Sequence, residues 1–203
     1  MAKAKTVFYC TACGHESPKW VGRCPGCGAW NTMEEQPVVK TTGGRMVAAK
    51  AAVKPVPLSK VDVTPAGHCE TGIEELDRVL GGGLIEGAVV LVGGEPGVGK
   101  STLLLQACER IARQGKTVLY VSGEESARQI KLRATRLGTL CENLLVLAET
   151  DMDLVSQAME TTKAELVIID SIQTMTQPGM TSAMGSVSQI RECTASALKI
   201  AKT

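Results

Sequence analysis

The sequence predicts an α/β fold with a mainly parallel sheet, preceded by a small metal-stapled module, and three observations carry that prediction. Apolar runs near residues 88–92, 117–121, 144–147 and 166–170 alternate with helical stretches, the order that parallel strands joined by helical crossovers require. A glycine-rich turn joins the first run to the first long helix. Four cysteines stand ahead of all of this in two CxxC pairs.

The 203 residues leave room for one full domain and a small module, but not for two large domains. A composition 44% hydrophobic and 21% charged is too apolar for a disordered tail and too charged for a membrane protein. No run approaches the roughly 18 apolar residues of a spanning helix, and no apolar stretch follows Lys3 and Lys5 as an export signal needs. A cytoplasmic protein with no membrane partner is the expectation. Charge divides the chain: residues 1–60 hold nine Lys/Arg against three Glu, and residues 61–203 hold thirteen against eighteen acids. Four of the eight Cys and four of the five aromatics (Phe8, Tyr9, Trp20, Trp30) fall in the first 30 residues. The remainder must build its core from Val, Leu, Ile, Ala and Met.

Residues 1–36 are expected to form a zinc ribbon. Two residues between paired cysteines let one tight turn aim both thiolates at a common point, and Gly14 and Gly28 supply the backbone angles of that turn. Cys10, Cys13, Cys24 and Cys27 then make a tetrahedral site for Zn2+, closed and therefore structural. A segment this short cannot bury enough surface to fold without such a staple. His15 reads as a solvated turn residue. Trp20 and Trp30 read as the small core of the ribbon, with stacking platforms for single-stranded nucleic acid as the alternative. Residues 37–60, with Pro37, Gly43, Gly44, Pro55 and Pro57 and no apolar periodicity, read as a flexible basic linker, and 61–203 as the larger domain.

Gly94-Glu95-Pro96-Gly97-Val98-Gly99-Lys100-Ser101 fits GxxxxGK[ST], with an apolar run before it and an amphipathic helix after it. Glycines at three of these positions let backbone N–H groups wrap a phosphate at the helix N-terminus. Lys100 adds a positive charge for the β- and γ-phosphates of ATP, the Ser101 hydroxyl can bind Mg2+, and Thr102 completes the segment. Leu166–Ile169 reads as a strand buried on both faces that delivers Asp170 to its carboxyl end, where it can hold the magnesium shell. Many motor ATPases place a glutamate directly after that aspartate, but Ser171 stands there. Glu124, following the 117–121 strand, is the candidate for activating water, with Glu125 in reserve. In the alternative reading both glutamates merely begin the next helix, where the macrodipole favours acids. Lys100, Glu124 and Asp170 form the expected catalytic set.

TGIEELDRVLGGGL at 71–84, GEPGVGKST, SGEES and LVIID together resemble the RecA-like ATPases, in which the glutamate after the second strand is catalytic. With CxxCG followed by CPxCGxWNT, the chain resembles the RadA (Sms) family of bacterial DNA repair proteins over nearly its whole length. The resemblance implies a RecA-like P-loop ATPase core and a DNA-dependent ATPase that processes recombination intermediates and promotes branch migration in strand exchange. It implies DNA and the RecA recombinase as partners, a homo-oligomeric ring, and a DNA-facing role for 171–185. The family also continues with a strand inserted between those at 88–92 and 166–170, a KNRFG motif and a domain similar to the Lon protease family. On that ground the chain is expected to be a fragment with an incomplete sheet, its residues 61–203 unstable alone. Two other classes compete: a small-molecule kinase, whose loop usually stands near the N-terminus where here some 90 residues precede it, and a zinc-ribbon adaptor with a regulatory ATPase.

Overall fold

In the computed structural model, which describes residues 6–11, 15–37, 57–60, 67–180 and 182–202, the chain divides into two units, Met1–Ala66 and Gly67–Thr203. The first unit is a three-stranded antiparallel sheet in the order β2-β1-β3, built from β1 (Thr6–Cys10), β2 (Glu16–Ser17) and β3 (Met33–Pro37). Its register sets Cys10 opposite Met33 and Phe8 opposite Ser17. Cys10, Cys24 and Met33 are buried, with Phe8 and Val21 packed against them. The tryptophans do not join this core: Trp20 is 55% and Trp30 69% exposed. The centre of so small a sheet is filled by the cysteine sulfurs and a methionine, which leaves no space for two indoles. Of the expected linker, residues 38–56 lie outside the described residues, and Leu58–Lys60 forms one exposed 3-10 turn.

The second unit begins with a short helix, α1 (Glu74–Val79). Asp77 on this helix gathers the turn before it: Oδ1 accepts from the Thr71 N–H (2.7 Å) and hydroxyl (2.8 Å), and Oδ2 from the Gly72 N–H (3.1 Å). Leu84 then pairs with Cys69, and a Cβ at Gly83 would stand 2.6 Å from the Cys69 carbonyl oxygen, so only glycine fits that crossing. The α/β core follows as α2 (Lys100–Arg113), β4 (Val118–Ser122), α3 (Ala127–Leu137), β5 (Leu144–Ala148), α4 (Met152–Thr162), β6 (Leu166–Asp170) and α5 (Val187–Ala201). The starts of α3, α4 and α5 are marked by side-chain caps: Ser126 forms a capping box with Gln129, Asp151 accepts from Asp153 and Leu154, and Ser186 accepts from Gln189.

The sheet is parallel, in the order β5-β4-β6. The chain moves from β4 to one side and then back across to the other, so right-handed crossovers must place α3 and α4 on opposite faces. They do. Val118 and Tyr120 pack with Leu105, Cys108 and Ile111 of α2 and Ile130 and Ala134 of α3, while Leu119 and Val121 pack with Met152 and Val155 of α4 and Cys193 of α5. Leu105, Ile111 and Ile130 are completely buried, which contributes roughly 1.5–3 kcal/mol each. Burial pushes the Cys108 thiol up to about 12, as befits a cysteine used as a small hydrophobe. At the amino ends of the strands Glu165 accepts from Lys116 Nζ (2.9 Å) and the Thr117 N–H (3.1 Å), which fixes the β4–β6 register.

Two strand expectations are corrected. Residues 88–92 are not part of a ladder; Val89, Val90 and Leu91 are 47%, 48% and 84% exposed. An apolar run becomes a strand only beside a partner edge, and among the described residues none pairs with it. The β6 strand, expected to be buried on both faces, is half-buried throughout, because β4 lies along one edge and no described strand along the other.

Burial works against the charge of Asp77, but the Thr71 and Gly72 donors outweigh it and hold the carboxyl below its ordinary range. A depressed folded-state pKa gives stability that is complete above about pH 4 and is lost as pH falls toward the depressed value. Asp77→Asn should therefore lower the melting temperature at pH 7 by roughly 2–4 °C, about 1 kcal/mol for a chain of this size. Thermal melts across pH should show the difference from the parent shrinking as the solution is acidified.

Candidate functional site

The phosphate-loop residues close the gap between the exposed 88–92 run and α2. Gly97 (φ +79) and Gly99 (φ +99) are left-handed, a conformation L side chains rarely adopt, and Gly99 is the N-cap of α2. The Gly99 carbonyl accepts from the Leu103 N–H (2.9 Å), and no side chain caps this helix start. The first N–H groups of α2, on Lys100, Ser101 and Thr102, have no intrahelical acceptor and point outward as a helix N-terminus does. The Lys100 ammonium folds back over the loop and donates to the carbonyls of Gly94 and Glu95, both at 2.8 Å. Glu95, Pro96 and Val98 are exposed on its rim.

A second cluster forms where β4 and β6 end together. Ser122 and Asp170 are ladder partners, so the residues that follow them emerge side by side. The Ser171 hydroxyl donates to Glu124 Oε1 (3.0 Å), and the Tyr120 hydroxyl to Asp170 Oδ2 (2.5 Å). Burial, and then the Asp170 carboxylate, push the Tyr120 phenol well above its usual range, so it stays protonated as a donor. Glu125 turns elsewhere, to Arg133 Nη2 (2.7 Å), while its N–H donates to the Ser122 hydroxyl (3.0 Å). Both glutamates precede α3, which starts after Ser126. A cleft of about 290 Å3 opens here, lined by residues 122–126 and 148–150.

Between these groups Gly123 is required by close approach: a Cβ would stand 2.2 Å from the Thr174 hydroxyl oxygen and 2.8 Å from its Cβ. The segment after β6 is thereby packed onto the glutamate turn. Met175 is completely buried, Thr176 pairs with Asp151 and donates its N–H to the Thr150 carbonyl, and Gln189 of α5 holds the Gln177 N–H and the Ser182 carbonyl. Of the expected loop 171–185, the first half is thus anchored to the core through Thr174, Met175 and Thr176; Gln173, Pro178, Gly179 and Ala183–Gly185 are exposed among the described residues, with Met184 58% exposed.

In the first unit the sulfurs of Cys10, Cys24 and Cys27 lie within 4.8 Å of one another, and Cys10 and Cys27 are 3.7 Å apart. Four thiolates about 2.3 Å from one tetrahedral ion stand roughly 3.8 Å apart, so the three described sulfurs fit three corners of such a site. Cys13 lies outside the described residues. The Gly26 N–H points to Cys24 Sγ (3.3 Å), and Gly28 (φ +75) closes the knuckle. His15 is exposed and not among these ligands.

Strand pairing brings Glu124 and Asp170 to one edge, whereas Lys100, Ser101 and Thr102 arrive on α2, which packs on the same sheet. Sequence reasoning missed Tyr120, Arg133 and Ser171 as partners of the acidic residues. The available signal was Tyr120 itself, the lone aromatic after residue 30: a buried tyrosine needs a partner for its hydroxyl.

Residues 54–202 match the family model described as an AAA domain, and residues 8–35 the model described as a rubredoxin metal binding domain. The chain is 51% identical over 207 residues to the DNA repair protein RadA of Bacillus subtilis (strain 168) and 54% identical over 206 residues to that of Halalkalibacterium halodurans. Each alignment covers 100% of this chain and 45% of the relative, so the chain spans about half the length of these proteins. Among solved structures, a DnaB-like replicative helicase (TM-score 0.55, 17% identity, 71% of this chain and 42% of that one) shares the fold. So does the flagellar accessory protein FlaH from Methanocaldococcus jannaschii (TM-score 0.52, 17% identity, 67% of this chain and 66% of that one).

Proposed function

Since the chain belongs to the AAA-domain family, we propose that it is the ATP-hydrolysing part of a DNA-dependent ATPase for repair by homologous recombination. The observation that carries this reading is the division of labour at the carboxyl edge of the sheet. Glu124 is bonded to Ser171, the residue after Asp170, while Glu125 is engaged by Arg133. Glu124 is therefore the base that orients and deprotonates the attacking water, and Glu125 a structural acid. Lys100, released from the Gly94 and Glu95 carbonyls, turns to the β- and γ-phosphates beside the N–H groups of 94–102, Pro96 alone having none. The Ser101 hydroxyl and Asp170 are hard oxygen donors suited to Mg2+, which neutralises phosphate charge when bound. In the ribbon, 1–36, Cys10, Cys13, Cys24 and Cys27 hold a structural Zn2+; 37–60 tethers it to the ATPase domain at 61–203.

DNA as the substrate is supported by the DNA repair proteins that share half of this sequence and by the surface of the ribbon. Trp20 and Trp30 present exposed indoles on either side of Gly22, with the Arg23 guanidinium 5.8 Å from the Trp30 ring centre. Exposed aromatic faces beside cations stack bases of single strands, so the alternative that the sequence left open is the better one. Branch migration alongside a RecA recombinase, assembly into a homo-oligomeric ring and a cytoplasmic location complete the proposal. Among the described residues no helix is long and apolar enough to cross a membrane.

ATP binding and turnover of the full protein, with and without single-stranded DNA, test this. Lys100→Ala should weaken ATP binding; Glu124→Gln should leave ATP bound and cut turnover by about 10²–10⁴. Loss of turnover in Glu125→Gln but not Glu124→Gln would exchange their roles, and turnover indifferent to DNA would remove DNA from the reading. Elemental analysis should find one zinc per chain, lost in Cys10→Ala/Cys27→Ala; iron, or no metal, in protein purified without chelator would refute the zinc assignment.

A further inference from the structure

Tyr120, at the middle of β4, is fully buried, with 0% of its surface exposed. Phenylalanine would satisfy the packing there. A buried hydroxyl is costly unless it is bonded, so its presence points to what it bonds. That partner is Asp170 Oδ2, at 2.5 Å, the short distance of a charge-assisted O–H···O bond. The geometry follows from register: Tyr120 pairs with Ile168 and Ser122 with Asp170, so Tyr120 lies diagonal to Asp170 on the same sheet face.

The direction of this hydrogen bond is also fixed. Arg133, on α3, places Nη2 3.5 Å from the phenolic oxygen and 2.7 Å from Glu125 Oε2. A guanidinium has only donors, so the phenolic oxygen can only accept from it and must spend its own proton on Asp170. The result is a chain of alternating acceptors and donors from Glu125 through Arg133 and Tyr120 to Asp170. It ties one oxygen of that carboxylate down, and no hydrogen bond among the described residues takes the other, Oδ1. Arg133 Nε is buried with no hydrogen-bond partner in this structure, so its position is set by Glu125 and Tyr120.

We propose that Tyr120 is a positioning residue for Asp170, which with Arg133 and Glu125 behind it fixes the carboxylate so that Oδ1 faces the magnesium shell. This rests on the reading of Asp170 as the magnesium-shell aspartate. It gives Glu125 a role distinct from water activation, and it connects the start of α3 to the metal site.

The test is equilibrium binding of a fluorescent adenine nucleotide to the full chain, in EDTA and across a Mg2+ titration. Tyr120→Phe removes one oxygen. It should leave affinity in EDTA within about twofold and raise the Mg2+ midpoint about tenfold, the lower end of what losing an outer-shell partner costs. Arg133→Met should shift the midpoint the same way, and it carries the test if Tyr120→Phe does not fold. In an Asp170→Asn background, Tyr120→Phe should add nothing. A merely loosened fold would weaken binding equally with and without metal, and that outcome overturns the proposal. So does an unchanged midpoint in Tyr120→Phe, or in Arg133→Met, while Asp170→Asn raises it. If Asp170→Asn itself leaves the midpoint in place, the magnesium reading of Asp170 fails, and the positioning role with it.

Discussion

Five residues of β4 carry ladders on both edges and packed side chains on both faces, and the geometry of the carboxyl edge depends on that double confinement. A strand so placed has no water to satisfy its N–H and C=O groups, so its pairing with β5 and β6 is obligatory. Alternation then decides which side chain meets which layer. A slip of one residue would turn Tyr120 toward α4 and α5 and Val121 toward α2 and α3, and would set Gly123 rather than Ser122 opposite Asp170. The register that buries the core thus also sets Glu124 and Ser171 within hydrogen-bonding reach. The tight approach of Thr174 to Gly123 extends this constraint into the segment after β6. Structure and site cannot be varied separately here.

What was legible in the sequence is what local chemistry dictates. Two CxxC pairs with glycines, GxxxxGKS at a helix start and an acid at the end of an apolar run each require nearby residues only, and the fold class follows from their order. The misreadings share the opposite property. Residues 88–92 have the apolar pattern of a strand, but a strand exists only where a second backbone offers its edge, and pattern carries no information about that. Trp20 and Trp30 suggested a core because indoles are usually buried, yet how much a module can bury depends on its size, and the sulfurs use up the centre. Met175 reads as part of a loop, but the pairing of Thr176 with Asp151 draws it into the core. The hydrogen bonds of Tyr120 to Asp170, Arg133 to Tyr120 and Ser171 to Glu124 join residues between 13 and 50 apart in sequence, beyond the reach of motif or period.

The two units are stabilised by different means, which the uneven composition reflects. The ribbon has a core of a few residues and concentrates cysteine, where sulfur ligation can replace buried area. The α/β unit is built from aliphatic side chains around one tyrosine, and its buried cysteines, Cys108 and Cys193, behave as small apolar residues, with thiols pushed up by burial.

The resting posture of Lys100 bears on how fast and how firmly a ligand is taken up. A free lysine has many rotamers, and immobilising such a side chain on binding costs about 0.5–1.5 kcal/mol. Here the ammonium is already seated on the Gly94 and Glu95 carbonyls, so that entropy is lost before any ligand arrives. A phosphate bound as proposed would then perform an exchange, displacing two neutral dipoles with a charged oxygen. On the proposed role of Lys100, discrimination would follow: an anion of high charge density would win the ammonium from the carbonyls, while a weakly charged or neutral molecule of the same shape would not, and would leave the loop folded on its own lysine.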